Sequence, residues 1–291
     1  SSDFNMLADK SKQDYQYFIK NMLSTIVESK HLSRTYLKNM NGAKAKKSYE
    51  VWLNRGISMA NHICSVSRKM YSYGMEMGYV QSNPFSTFKC RTPKSRKTLW
   101  TRDQVKQFLD YAYTNFKTRN LGLIVQMAYE WCQRIGDMRL LKFEYIDFDK
   151  GILHLEQSKR RATVHLPISE DLLAMLIQQK EDYGFQEYVA PMPKAIRGAY
   201  KPYSLHGISK LGRVAMSSAG LPNELRLADL RRTGTTEMVE AGVSMGQIMS
   251  VTGHANPNSV MPYMKNTYLS AKKALTTRES IAISTRQVPN S

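Results

Sequence analysis

Near the end of the chain, residues 227–263 read LADLRRTGTTEMVEAGVSMGQIMSVTGHANPNSVMPY. Glycines at positions 242 and 253 break it into segments that read as successive helices, because glycine weakens a helix and commonly ends one. A histidine, His254, follows the second break, and Tyr263 comes nine residues later. The last third of the chain is therefore predicted to consist of successive helices.

Towards the N-terminus, the periodicity changes from helical to alternating. Residues 152–157 (ILHLEQ) and 162–168 (ATVHLPI) alternate apolar and polar positions, and the sequence SKRR at 158–161 connects them. Alternation with a short connection predicts a β-hairpin. Helices are predicted around it, over 101–108 with Thr101 as the N-cap, over 121–132 and over 169–183.

The first 80 residues are organised differently. Apolar residues recur at three- and four-residue spacings in YFIKNMLSTIV (17–27), SYEVWLNRGI (48–57) and ANHICSVSRKMYSYGMEM (60–77), which predicts a small all-helical domain. The basic, proline-containing stretch KCRTPKSRK that follows is interpreted as a linker. We predict a helical domain over 1–88, a basic linker over 89–98 and a second domain over 99–291 that ends in a tail. The predicted fold class is mainly α (α+β), with one small antiparallel β-sheet.

The composition indicates an anionic partner. The chain has 42 Lys and Arg against 24 Asp and Glu, a formal net charge of +18, which favours nucleic acid because neutralised phosphates release counterions. No apolar run of about 18 residues and no signal-peptide core occur, so no membrane partner is expected. Three cysteines without CxxC spacing fit neither a disulfide framework nor a zinc ribbon and indicate a reducing compartment. Nucleotide-binding and zinc-protease motifs are also missing, so neither a cofactor nor a metal is predicted.

Four separated segments, taken in order, carry a resemblance to a known family. They are WCQRIGDMRLLKFEYIDFD (131–149), the predicted hairpin, the stretch from LADLRR to TGH and NSVMPYMKNTYLSAKKA (258–274). Each segment alone is weak, but their order and spacing are similar to the boxes of the tyrosine recombinase (phage integrase, lambda-integrase-like) family. The resemblance covers residues 98–274. The N-terminal region resembles the family's core-type DNA-binding domain in length, charge and helix content only.

The resemblance implies an enzyme that cleaves and rejoins DNA strands in site-specific recombination. Arg134 and Arg231 would be its catalytic arginines, Lys159 the hairpin lysine, His254 a further phosphate contact and Tyr263 the nucleophile that forms a 3′-phosphotyrosine. Two guanidinium groups match the oxygens of a phosphodiester, and a lysine ammonium can protonate the departing 5′ oxygen. Because the phosphotyrosine retains the linkage, rejoining requires neither ATP nor a metal ion.

One position departs from the family pattern. The family usually has His or Lys three residues before the second arginine, where this chain has Ala228. The group that assists deprotonation of the tyrosine is therefore open, with Arg232 or a water molecule as substitutes. Two alternative functions also stay open: DNA relaxation of the type IB topoisomerase kind, and DNA binding by a catalytically impaired protein.

For several of these roles another residue is a candidate, and one of the assigned residues has an alternative structural role. Tyr268 is a rival nucleophile, although its offset from the Gly-His pair does not fit. Arg160 and Arg161 flank the hairpin lysine, but a guanidinium gives up a proton poorly and would serve better as a phosphate contact. Arg134 could also form a helix-end salt bridge with Asp137.

The expected partner is double-stranded DNA with specific recombination sites, bound by a homotetramer that holds two duplexes. Residues expected to contact DNA are Lys44, Lys46, Lys47, Arg91, Lys94, Arg96, Lys97, Arg160, Arg161 and Arg232. The resemblance leaves room for accessory DNA-bending proteins, and it implies the integration or excision of a phage or mobile element in a bacterial cytoplasm or nucleoid. We expect residues 269–291 to pack on a neighbouring protomer, and we expect no additional arm-binding domain within these 291 residues.

Overall fold

The computed structural model describes residues 2–159, 161–264, 271–272 and 274–279. The chain divides into two compact units, Ser1–Arg96 and Lys97–Ser291. The first unit contains the helices α1 (Ser2–Asn5), α2 (Asp9–Leu23), α3 (Gly42–Leu53) and α4 (Ile57–Glu76). Its core is aromatic: the Trp52 and Phe85 rings stack with their centroids 5.9 Å apart. Tyr49 and Ile63 are fully buried beside them.

A short hairpin in the first unit replaces part of a predicted helix. The helix predicted over residues 17–27 ends at Leu23, and the strands β1 (Ile26–Val27) and β2 (Lys30–His31) pair in antiparallel fashion. β-branched residues favour extended backbone. Glu28 and Ser29 have positive φ angles, which suit a two-residue hairpin turn. The prediction of an all-helical domain is therefore wrong at this segment.

The second unit combines helices with one three-stranded sheet. Its helices are α5 (Arg102–Tyr113), α6 (Phe116–Glu130), α7 (Ile135–Met138), α8 (Glu170–Tyr183), α9 (Leu205–Ser218), α10 (Leu230–Ala241) and α11 (Met245–Thr252). Its strands are β3 (Ile146–Asp147), β4 (Ile152–Glu156) and β5 (Thr163–Pro167). They form an antiparallel sheet in the order β3-β4-β5. The predicted fold class, mainly α with a small antiparallel sheet, is confirmed.

The predicted hairpin is strands β4 and β5. Ile152 lies opposite Pro167 and Glu156 opposite Thr163, and the two strands bury alternate leucine and valine side chains. Thr101 caps α5 with a capping box, as predicted. β3 was not predicted, because a two-residue strand is too short to show a period.

Two features of the second unit position the functional groups. Helix α6 is buried along most of its length, and Trp131 at its end donates a hydrogen bond from Nε1 to the Pro167 carbonyl at 3.1 Å. The loop after α6 is thereby fixed to the sheet. Helices α10 and α11 end at Gly242 and Gly253, both with positive φ.

None of the helices in the described part of the chain combines the length and apolar character needed to cross a lipid bilayer.

Candidate active site

Arg134 enters the site from the loop between α6 and α7. It occupies the N-cap position of α7, and its carbonyl accepts a hydrogen bond from the Asp137 backbone N–H at 2.9 Å. Its Nη1 donates to Oε1 of Gln157 at 2.9 Å and lies 3.6 Å from Oδ2 of Asp137. The salt bridge left open by the sequence is thus present, but its distance is long for a hydrogen-bonded ion pair.

Asp137 connects α7 to the hairpin turn. Its side chain is 2% exposed, and its Oδ1 accepts hydrogen bonds from the backbone N–H and the hydroxyl of Ser158. Lys159 is the next residue and is exposed in the turn. The turn that carries the predicted general acid is therefore attached to the helix that follows Arg134.

Arg231 lies in the first turn of α10 and is 8% exposed. Its Nη2 donates to the Thr252 carbonyl at 2.7 Å. Among the residues that the structure describes, nothing accepts a hydrogen bond from its buried Nη1. Burial, followed by the positive charge of Arg134, lowers the pKa of Arg231 to about 10, while the negative form of Tyr263 acts in the opposite direction. The guanidinium therefore stays charged at neutral pH.

His254 follows Gly253, the residue that ends α11, and is held by Thr252. The Thr252 hydroxyl donates to the Ile248 carbonyl at 2.7 Å and lies 2.8 Å from Nδ1 of His254, so this network assigns the proton to Nδ1. Nε2 then accepts from Nη2 of Arg231 at 3.1 Å. In this tautomer His254 holds Arg231, and its Nε2 can donate to a phosphate only after it takes up a proton.

Tyr263 ends a short 3-10 helix, Met261–Tyr263. Its ring centroid is 6.1 Å from that of His254, with the planes inclined by 31°. The phenol thus lies beside the histidine and within electrostatic range of Arg231. Segments about 130 residues apart in sequence bring two guanidinium groups, an imidazole and a phenol to one place, and Lys159 lies on the exposed turn next to it.

The charge at this place is unbalanced. Among the described residues at this place, two guanidinium groups, of Arg134 and Arg231, stand against one carboxylate, that of Asp137, and the buried Nη1 of Arg231 has no hydrogen-bond acceptor. Such an arrangement suits one further anion with several oxygens, because guanidinium groups match phosphate oxygens. Within the described ranges there is no group of three or more His, Cys, Asp or Glu side chains that could hold a metal ion.

Three buried polar residues that the sequence patterns do not single out connect these groups. Gln157 donates from Nε2 to Oε1 of Gln133 at 2.6 Å and to the Thr252 carbonyl at 2.8 Å. All three side chains are fully buried. A signal was present in the sequence: position 157 continues the inward-facing phase of Leu153 and Leu155, where an apolar residue is expected and glutamine stands instead.

Many of the predicted DNA-contacting residues lie on the surface, and some of them are paired with carboxylates. Lys94, Arg96 and Lys97 are exposed, whereas Lys44 and Arg232 are half-buried. Ion pairs join Lys46 to Glu50 at 2.8 Å, Lys47 to Glu28 at 2.6 Å, Arg91 to Glu50 at 3.3 Å and Arg161 to Glu156 at 3.6 Å. Arg160, the rival nucleophile Tyr268 and most of the stretch 269–291 lie outside the described residues. Exposed ion pairs of this kind are weak, so a phosphate can displace the carboxylate.

A mainly helical fold brings two arginines, a histidine and a tyrosine to one place, and this set of groups suits the binding of an anion such as a phosphate. Residues 98–269 match the sequence model of the phage integrase family. The chain belongs to the phage integrase family, that of the tyrosine recombinases, as the sequence resemblance predicted.

Curated relatives and solved structures agree with this membership. The chain is 23% identical over 193 residues to the shufflon-specific DNA recombinase of Escherichia coli, an alignment that covers 65% of this chain and 46% of the relative. It is 20% identical over 215 residues to tyrosine recombinase XerC of Syntrophus aciditrophicus, covering 71% of this chain and 69% of that protein. The chain thus spans only part of the length of these relatives.

Two integrases solved with DNA share the fold. A lambda integrase (75–356) dimer bound to a COC′ core site superposes with a TM-score of 0.74 at 19% identity, covering 90% of this chain and 91% of that one. The Tn1549 transposon integrase in complex with circular intermediate DNA gives a TM-score of 0.75 at 12% identity, covering 94% and 95%. At these identities the likeness shows the fold.

Proposed function

We propose that this chain is a site-specific DNA recombinase that cleaves and rejoins DNA strands through a 3′-phosphotyrosine at Tyr263. The observation that carries the proposal is the unbalanced pair of guanidinium groups beside this phenol, with a buried N–H of Arg231 that lacks an acceptor among the described residues. A phosphodiester supplies both the negative charge and the oxygens that this place lacks. Membership in the phage integrase family supports the same chemistry.

The reaction follows from the groups present. Arg134 and Arg231 bind the non-bridging oxygens and stabilise the charge that grows on them as the phosphorus is attacked. The Tyr263 oxygen forms a bond to phosphorus while the bond to the 5′ oxygen breaks, and the phenol proton passes to water, because Ala228 has no group to receive it. Lys159 gives its proton to the departing 5′ oxygen. Attack by another 5′-hydroxyl reverses these steps and reseals the strand.

The partner we propose is double-stranded DNA with two recombination sites, held by four copies of this chain. The formal net charge of +18 supports binding to DNA. A lambda integrase tetramer bound to a Holliday junction shares the fold, with a TM-score of 0.71 at 19% identity and coverage of 89% of this chain and 73% of that one. Since lambda integrase and a transposon integrase are among the similar proteins, integration or excision of a mobile element is the biological task we favour.

A trapping experiment tests the chemistry. The probe is a labelled pool of duplexes with a randomised core and a nick beside it, so that a cleaved strand loses its short 5′-hydroxyl fragment and cannot reseal. We expect a covalent protein–DNA adduct with the intact chain and none with Tyr263→Phe. Absence of any adduct from the intact, folded protein would overturn the proposal and favour DNA binding alone.

The topoisomerase alternative is separated by a second assay on the same protein. A type IB enzyme relaxes a supercoiled plasmid that contains no recombination site, because it needs no partner duplex. We expect no such relaxation by this chain at concentrations that give the adduct. Relaxation of a site-free plasmid would favour the alternative.

A further inference from the structure

We infer that Gln157 is a positioning residue, whose buried side-chain amide fixes Arg134 relative to Arg231 and His254. The inference rests on the proposed function, since it concerns how the phosphate-binding groups of that reaction are held. Gln157 is completely buried, lies at the end of β4 and touches no solvent through which its amide could be satisfied. Each polar atom of its side chain is engaged by a residue of the site.

The amide of Gln157 has one orientation that satisfies its surroundings. Its Oε1 accepts from Nη1 of Arg134 at 2.9 Å, while both protons of Nε2 are used, towards Gln133 Oε1 at 2.6 Å and the Thr252 carbonyl at 2.8 Å. A flipped amide would place its NH₂ group against a guanidinium and its oxygen against two acceptors. The network therefore fixes the direction in which the amide oxygen points at Arg134.

Thr252 extends this fixation to the second half of the site. Its carbonyl accepts from both Gln157 and Arg231, and its hydroxyl lies 2.8 Å from Nδ1 of His254. The next residue, Gly253, has a φ of +66°, and a Cβ added to it would lie 2.7 Å from Nε2 of Gln157. The end of α11 thus packs directly on the amide, with no side chain between them.

The backbone of Gln157 also closes the turn that carries Lys159. Its N–H donates to the Ala162 carbonyl at 2.9 Å, and its carbonyl accepts from the Arg161 N–H at 2.9 Å. One residue therefore holds Arg134 through its side chain and the lysine turn through its main chain. Displacement of this residue changes the spacing between the phosphate-binding arginines and the group that protonates the leaving oxygen.

A matched control exists in the same unit. Gln179 on α8 is also buried, accepts from Nη2 of Arg119 at 3.0 Å, and donates to Asn120 Oδ1 at 3.0 Å and the Val189 carbonyl at 2.8 Å. These bonds repeat those of Gln157: one arginine, one amide oxygen and one backbone carbonyl. Gln179 contacts none of the proposed catalytic groups, so it reports what the loss of such an amide does to stability alone.

The experiment compares Gln157→Met with Gln179→Met in the full chain. The adduct-forming rate at saturating nicked duplex, the DNA dissociation constant and the unfolding temperature are measured for each. We expect both variants to unfold at lower temperature, whereas only Gln157→Met slows adduct formation, by about 100-fold, as small misplacements of reacting groups can do. The DNA dissociation constant should change by less than about twofold, because most of the predicted DNA-contacting residues lie elsewhere in the chain.

Two further variants test whether Gln157 acts through Arg134 and guard against a variant that does not fold. In an Arg134→Ala background, Gln157→Met should bring a much smaller additional loss than in the unaltered chain, since the main part of its effect acts through Arg134. If Gln157→Met does not fold, Gln157→Asn retains an amide but shortens its reach, and the same slow rate is expected. Equal rates for the Gln157 and Gln179 variants, or multiplying losses in the Arg134→Ala background, would overturn the inference. If the unaltered chain forms no adduct, the proposed function itself fails.

Discussion

The second unit contains two clusters in which a buried glutamine binds an arginine, and they differ in how the charge is balanced. The Arg119 cluster consists of Arg119, Asn120, Gln179 and Asp182, and the Arg134 cluster consists of Gln133, Arg134, Asp137 and Gln157, with Arg231 beside it. In the Arg119 cluster the guanidinium meets the carboxylate of Asp182 directly. In the Arg134 cluster the carboxylate is 3.6 Å away, and a second guanidinium is present.

On the proposed function, this difference in charge balance separates a structural cluster from one that binds an anion. One positive charge and one negative charge meet in the Arg119 cluster, so nothing further is required there. The Arg134 cluster with Arg231 holds two positive charges against one negative charge, and a buried charge without a partner destabilises a fold. The excess positive charge would be balanced when an anion such as a phosphodiester binds there. The two clusters should therefore respond in opposite ways to substitution.

The largest expected difference is between Arg231→Ala and Arg119→Ala. Arg231→Ala removes a donor to the developing charge and should slow adduct formation by about 10³-fold. Its unfolding temperature should stay the same or rise, because an unbalanced buried charge is lost. Arg119→Ala should keep the rate per folded molecule and lower the unfolding temperature, since Asp182 loses its partner. Single-turnover trapping and thermal unfolding check both, and similar profiles for the two variants would contradict the contrast.

Lys159, which lies two residues after Gln157, and Lys180, which lies directly after Gln179, should also differ in their effect on the rate of strand cleavage. Lys159→Ala should slow cleavage of an ordinary strand by about 10²- to 10³-fold, the range for loss of a general acid. A 5′-bridging sulfur in place of oxygen needs no proton to leave, so it should restore most of the rate. Lys180, which follows Gln179 and lies 4.4 Å from the Phe148 ring centroid, supplies the control, because Lys180→Ala should cleave both strands normally. A Lys159→Ala defect that persists with the sulfur substrate would argue against the acid role.

A smaller effect is expected from a simple anion. Sulfate at ten times its dissociation constant would stabilise the folded chain by about 1.4 kcal/mol, which raises the unfolding temperature by roughly 3–6 °C for a unit of this size. The rise should disappear in Arg231→Ala and remain in Arg119→Ala. Thermal unfolding over a sulfate series measures it, and an equal rise in all three proteins would indicate a non-specific salt effect.

The smallest effect concerns acid stability in the Arg119 cluster. The hydrogen bond from Arg119 lowers the pKa of Asp182 below its usual 3.8. A carboxylate with a lowered pKa stabilises the fold above its unfolded-state pKa, and this stabilisation is lost as the pH falls through the folded-state pKa. Urea midpoints at pH 5 and pH 3 should thus differ more for the unaltered chain than for Asp182→Asn. An equal loss of stability between pH 5 and pH 3 in both proteins would contradict this role of the Asp182 carboxylate.

Local sequence patterns predict the secondary-structure elements that carry the Arg134 cluster and Arg231. The hairpin of β4 and β5 follows from alternation, and the ends of α10 and α11 follow from Gly242 and Gly253. The residues that we propose for phosphate binding could be named in advance, because the order and spacing of their segments resemble those of a family. The tertiary contacts between them have no local signature.

Hydrogen bonds between segments that lie far apart in the chain could not be predicted from the sequence. Gln133, Gln157 and Thr252 lie far apart in the chain, and only the folded unit shows that they share hydrogen bonds. The turn at Glu28 and Ser29 was missed because the apolar spacing up to Val27 also fits a helix, and the competing β preference is weak in so short a segment. The pairing of Arg91 with Glu50 likewise depends on tertiary structure, whereas Lys46 and Glu50 form a local i,i+4 pair within α3.

The most direct test identifies the residue that becomes joined to DNA. The trapped adduct is digested with protease and nuclease, and the peptide that carries the nucleotide remnant is sequenced by mass spectrometry. We expect the modification on Tyr263, in the peptide that follows His254. A remnant on Tyr268, or on any other residue, would contradict the assignment of the nucleophile and with it the role given to the two arginines.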